Sequence, residues 1–212
     1  MFYRGFRSKK ILLTVIFIMV FLTPTLLFAE VMKTTRVNTE LPLLLNSGLA
    51  DCNEAAVKYI VWTEDPGKTD EIENILPSTG LIWQKQILSD FAGKKVFQYM
   101  TAQKINEEEE RQAFILYHSL YTVSMDGKAQ VFFEERVGEA IHAENYFEYN
   151  HISRKQNIII NDMMSIGGFD QRLPGGVKAG EDKINIQMVT KGENKTGNGK
   201  TVLALPALME EF

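Results

Sequence analysis

Cysteine is almost missing from this chain of 212 residues, with Cys52 the only one. An internal disulfide is therefore excluded, and the fold must be held by its core. Histidine is scarce too. His118, His142 and His151 stand in no HExxH or similar ligand spacing, so they are expected to be surface or half-buried residues. No serine lies in a G-x-S-x-G elbow. No short-period repeat is present. These absences remove the usual signatures of metal, cofactor and nucleophile chemistry. No catalytic, cofactor-binding or metal-binding residue is assigned.

Basic charge is also short where it would matter. Four of the 23 basic residues, Arg4, Arg7, Lys9 and Lys10, lie in the first 29 positions, which hold no acid. The remaining 183 residues then carry 19 basic against 27 acidic groups, a net charge of −8. A domain of that sign is a poor collector of phosphate backbones, so nucleic acid is not an expected partner. An anionic membrane surface or wall polymer fits it no better.

The start of the chain, "MFYRGFRSKKILLTVIFIMVFLTPTLLFAE", does carry a signal. A basic start, an apolar run from Ile11 to Leu22 and a small residue at Ala29 follow the layout of a secretory segment. Residues 11–29 also come close to the length of a membrane span, which leaves cleavage after Ala29 and retention as an anchor both open. Either arrangement places residues 30–212 outside the cytoplasm as one domain, with membrane contact only through the N-terminal segment. "LADC", Leu49 to Cys52, is a poor lipoprotein box, because Asp51 stands where a small residue belongs. Cys52 is expected to be a structural thiol.

Alternation and turn residues divide the rest. Leu43 to Leu45 are expected to start a short helix stopped near Gly48. Val57 to Glu64 reads as a strand, with Pro66-Gly67 as its turn. Thr69 to Leu76 reads as helical, capped by Thr69 or Asp70 and ended by Pro77 and Gly80. Lys95 to Ile105 alternates like a strand after a turn at residues 92–94. Asn106 opens the clearest helix, with Glu109 three residues on as in a capping box. Its run Glu107 to Glu110 suits a helix N-terminus, and neighbouring glutamates diverge, so a cap and solvated face are expected rather than a metal site. "AQVFFEERVG" reads as a strand, and Ala140, Ala143, Phe147 and Ile152 as one helix face. Strands are also expected at 158–160, 184–190 and 201–208. The order predicts an α+β fold with a mostly antiparallel sheet backed by helices.

Two features resemble chemistry. "GENKTGNGKT" resembles a phosphate-binding loop, but five positions before Gly199 stands Asn194, not glycine, and Pro206 interrupts what should be a helix. It is expected to be a hairpin loop instead. Carboxylates are plentiful: Glu134, Glu135, Glu139, and Asp162 beside two glycines. A pair at the right separation would act as a glycosidase couple, which makes an envelope hydrolase the alternative to a non-catalytic protein.

"MSIGGF", "LPGG", "KINIQMVTK" and "GKTVLALPALMEEF", together about a quarter of the chain, resemble the YwmB family. Ser165, Gly168, Ile184, Asn185, Gln187, Thr201, Pro206 and Glu211 stand at its pattern positions. Phe169 and Phe212 replace two tyrosines, and Leu205 a glycine. "NSGLADCNEAAVKYIVW", with Trp62 on its strand, agrees more loosely. The resemblance implies an extracytoplasmic protein of spore-forming Gram-positive bacteria, with a curved antiparallel sheet similar to the TATA-box-binding protein. It implies no catalytic residues, and that fold by itself does not imply DNA binding. The combined expectation is an exported, non-catalytic binding or scaffold protein of the cell envelope. Its partner would be another envelope protein, met through a sheet face or an exposed edge, with a link to sporulation or wall synthesis.

Overall fold

Along Ala56–Thr63 (β1) the side chains alternate between two buried environments. Val57, Tyr59 and Val61 point one way, and Lys58, Ile60 and Trp62 the other. That double use marks β1 as a central strand, and it pairs on both edges. The computed structural model describes residues 41–91, 93–194 and 197–209. These belong to one compact unit that begins at Leu41. The expected secretory segment and the lead-in at 31–38 lie outside the described residues.

The remaining strands are β2 (Trp83–Phe91), β3 (Lys94–Thr101), β4 (Ala129–Val137), β5 (Ser153–Ile160), β6 (Met163–Phe169), β7 (Val177–Ala179), β8 (Asp182–Ile184), β9 (Ile186–Lys191) and β10 (Lys200–Leu205). Eight of them form one antiparallel sheet in the order β2-β3-β1-β4-β10-β9-β6-β5. The pair β7-β8 stands apart as a small ribbon. The helices are α1 (Pro66–Ile75), α2 (Glu107–Ser124) and α3 (Ala143–Tyr149). All three back the same face. Tyr59 Oη donates to the Ala113 carbonyl on α2. Gly168, whose row runs through Ile186, Leu205, Phe133 and Tyr59, lies against Phe147 of α3. A Cβ at Gly168 would come within 2.5 Å of that ring, so only glycine permits the approach. The protein is thus α+β with one helix-covered face, and among the described residues the opposite face carries no helix.

Most of the expected elements are found, with corrections. Pro66 is the first residue of α1, not part of a turn, and Asp65 is its cap, accepting from Gly67 N. Proline suits that position because no N–H is needed there. A 3-10 turn, Leu76–Thr79, then runs through Pro77 and ends at Gly80 in the left-handed region. The expected strand at 184–190 is split at Asn185 into β8 and β9. The segment "IIINDMMSIGGF" is two strands, with Asn161 in the left-handed conformation at the reversal. Ile152 lies beyond α3, which is only 7 residues long. The loop 192–199 does join a hairpin, β9 to β10, as its spacing required.

Candidate functional site

The open face of the sheet holds a groove of about 980 Å³. It lies over the end of β1 that carries Ile60 and Trp62, with Val96 of β3 and Leu88 of β2 beside them. Ile60 is buried, but Trp62 and Leu88 remain 44% and 42% exposed, so the groove has an apolar floor open to solvent. Its volume is in the range of small-ligand and peptide sites. Lys94, Lys95 and Lys128 rim it with Glu64 and Asp65. Lys94 pairs with Glu64 at 2.7 Å and Lys128 with Asp65 at 3.1 Å, which fixes the ends of the rim.

Beside the groove runs one continuous row across the open face: Gln187, Ala204, Glu134, Lys58 and Met100. Glu134 is fully buried, bound by Lys58 Nζ at 3.0 Å and by the Arg136 guanidinium at 2.8 Å. A carboxylate removed from water needs such partners. The chain after β10 crosses this row. Leu208 N donates to Gln187 Oε1 at 2.9 Å, and Met209 N to Glu134 Oε1 at 3.3 Å.

The carboxylates singled out in the sequence do not gather. Glu134 and Glu135 are neighbours on β4 and point to opposite faces. Glu135 enters the helix layer and accepts Leu44 N at 2.9 Å through Oε2. There it meets Glu110, which is buried and accepts Leu45 N at 2.6 Å. The expectation of a wholly solvated glutamate face on α2 is corrected at this residue. Burial and the Glu110 charge push the Glu135 carboxyl well above the usual carboxylate range. Oε1 of Glu135 has no hydrogen-bond partner among the described residues. Glu139 binds Asp51 N and Cys52 N at 2.9 and 2.8 Å. Three glutamates therefore hold one strap, residues 44–52, by its backbone. The 3-10 turn Leu45–Ser47 within it ends at Gly48, where the sequence placed the stop. Asp162 is an exposed residue of the β5–β6 turn, and its carbonyl accepts Gly192 N.

The Cys52 thiol is half-buried, and burial followed by the Glu139 charge pushes its pKa up to about 11, which makes it unreactive at neutral pH. His118 is half-buried edge-on to Phe114, and desolvation lowers its pKa. His142 and His151 are exposed and lie at opposite ends of α3. Among the described residues, no group of three or more His, Cys, Asp or Glu forms a candidate metal site. No described helix is long and apolar enough to cross a membrane.

The pattern residues at the C-terminal end have structural work. Asn185 is fully buried and ties the loop after β6. Its Oδ1 accepts Asp170 N, and its Nδ2 donates to the carbonyls of Asp170 and Leu173. Gln187 links Ser165 on one side to Leu208 on the other. Thr201 accepts Ile141 N and donates to the Glu139 carbonyl. The groove residues Trp62 and Leu88 were missed as a site. The available signal was apolar character on both faces of β1, at Ile60 and Trp62 as well as at Tyr59 and Val61. Compared with known proteins, the chain matches no family model and no curated protein.

Proposed function

We propose that this is an exported, non-catalytic binding protein of the bacterial cell envelope that docks another envelope protein in the groove on the open sheet face. The groove carries the reading: an aromatic anchor, Trp62, stands exposed over a buried apolar floor beside paired charges. Tryptophan set in an apolar concavity with a polar rim is the composition of an interaction hot spot. The secretory layout of residues 1–29 supports the location, as does the resemblance of the C-terminal quarter to the YwmB family. An antiparallel sheet backed by helices on one face accords with a fold similar to the TATA-box-binding protein. The acidic balance of residues 30–212 argues against a nucleic-acid partner on that sheet. The same resemblance suggests a role in wall synthesis or sporulation.

Photo-crosslinking tests this reading. A photoreactive residue replacing Gln130, which lines the groove, is expected to capture one specific envelope protein in growing or sporulating cells. The same residue placed at Ile159, on the far edge strand, is expected not to capture it. Capture should be lost when Trp62→Ala and Leu88→Ser are combined. Equal capture from both positions, or capture that survives the double substitution, overturns the proposal.

A further inference from the structure

The sheet ends on β5, and among the described residues no strand pairs with its outer side. Three consecutive isoleucines lie on that edge. Ile158, Ile159 and Ile160 are 51%, 64% and 53% exposed, and from Gln156 to Ile160 there is no charge, no proline and no bulge. Proteins usually blunt a free edge with one of those devices. The opposite edge, β2, does so: it carries Lys85 and Asp90 and is broken by a bulge between Ile87 and Ser89.

Register fixes which backbone groups of β5 are free. Ile160 and Met163 close a two-residue turn, so they exchange hydrogen bonds with each other. Alternation then turns Ile158 towards β6, and the N–H and C=O groups of Asn157 and Ile159 outward. A strand of the same sequence can therefore meet β5 antiparallel, with Asn157 opposite Ile159 and Ile159 opposite Asn157. In that register Ile158 lies on the two-fold axis, against itself, and Ile160 lies against Gln156. Charge selects it. Arg154 and Lys155 of one copy come against Asp162 and Asn161 of the other, and Lys155 and Asp162 are both exposed. Moving the register two residues either way sets those cations against isoleucines, or against Met163 and Met164. We propose that β5 is a self-association edge, through which two copies of this chain pair antiparallel over residues 154–162 into one continuous sheet. Pairing of like edges closes on itself and stops at two copies. The contact lies at the end of the sheet remote from the groove, so the dimer presents two grooves and leaves both free. This inference does not depend on what the groove binds. A photoreactive residue at Ile159 is expected to capture a second copy of the chain.

The test uses the full chain, with Cys52→Ser, at a detergent excess that leaves fewer than one chain per micelle. Ile158→Cys faces its own copy across a pair whose Cα atoms are about 4.5 Å apart, within disulfide range. It is expected to form a linked dimer at least about tenfold faster than Ile160→Cys, whose two copies lie about 13 Å apart along the strands. Mixing Ile160→Cys with Gln156→Cys is expected to restore fast linkage. Sedimentation of the parent chain is expected to show a dimer. Ile158→Lys sets two cations face to face and is expected to give monomers, and mixing it with Ile158→Glu is expected to restore the dimer. Circular dichroism identifies a variant that fails to fold, and the comparison of the cysteine variants then decides alone. A monomeric parent chain, equal linkage from positions 158 and 160, or a dimer untouched by a folded Ile158→Lys overturns the inference.

Discussion

Glu110 on α2 and Glu135 on β4 meet inside the helix layer and between them bind the backbone N–H groups of Leu44 and Leu45. Neither residue acts on the open face. The pair is a clamp: it joins the longest described helix, a central strand and the strap at residues 44–52. Asn46 adds its side-chain amide to Glu110, and Tyr146 Oη binds the Pro42 carbonyl at 2.6 Å. Leu41, Leu43, Leu44 and Leu45 are buried beneath.

The clamp makes stability depend on pH. Burial and Glu110 raise the Glu135 carboxyl pKa, so the folded chain holds that proton more tightly than the unfolded chain does. The contribution is complete below the ordinary carboxylate pKa and is lost as pH rises through the raised value. Glu135→Gln keeps a donor towards Glu110 and an acceptor for Leu44 N at every pH. Its urea midpoint is expected to equal that of the parent near pH 5 and to exceed it increasingly above neutrality. Parallel midpoint curves would contradict the raised Glu135 pKa.

Glu110→Ala removes the acceptor of Leu45 N and Asn46 N and opens space beside Glu135. Leaving buried amides without partners is expected to cost about 2–4 kcal/mol. The loss should be local first. Protease cutting between residues 41 and 52, and hydrogen exchange at Leu44 and Leu45, are expected to accelerate before the sheet does.

Glu139→Gln tests the second hold on the strap. Burial is the larger reason for the raised Cys52 pKa, and Glu139 the next. Removing its charge lowers the thiol pKa, so alkylation by iodoacetamide at pH 8 is expected to quicken severalfold. An unchanged rate would mean that burial alone controls the thiol.

Asn185→Ala deletes three hydrogen bonds that hold the loop between β6 and β7. With the Asp170 amide and the Leu173 carbonyl left buried, a loss of about 2–3 kcal/mol is expected in denaturant unfolding. Asn185→Asp is expected to fare little better, because it supplies no donor for the two carbonyls.

Much of the fold was legible locally. Asn106 and Glu109 form the capping box that their spacing announced. Gly48 and Gly80 take left-handed conformations where helical segments end. Alternation marked β3, and β-branched and aromatic residues marked β1. Pro66 misled because a proline after a strand serves equally as a turn residue and as the first residue of a helix, and only the Asp65 cap decides. The break at Asn185 escaped notice because the residue's partners lie 12 and 15 positions away. Glu110 escaped for a similar reason: in sequence it is one of four adjacent glutamates, and what separates it from the others is the strap 65 residues earlier.

The sequence by itself determined most of the elements, because caps, turns and alternation act within a few residues. It also excluded a P-loop, since that motif is defined by spacing along the chain. Tertiary structure alone decided which faces the carboxylates occupy. Glu134 and Glu135 are adjacent, yet one lies among cations under the crossing segment and the other in the helix layer with Glu110. Only the packed sheet set Trp62 and Leu88 in one groove, across β3, because strand order and register bring together residues that the chain keeps 26 positions apart.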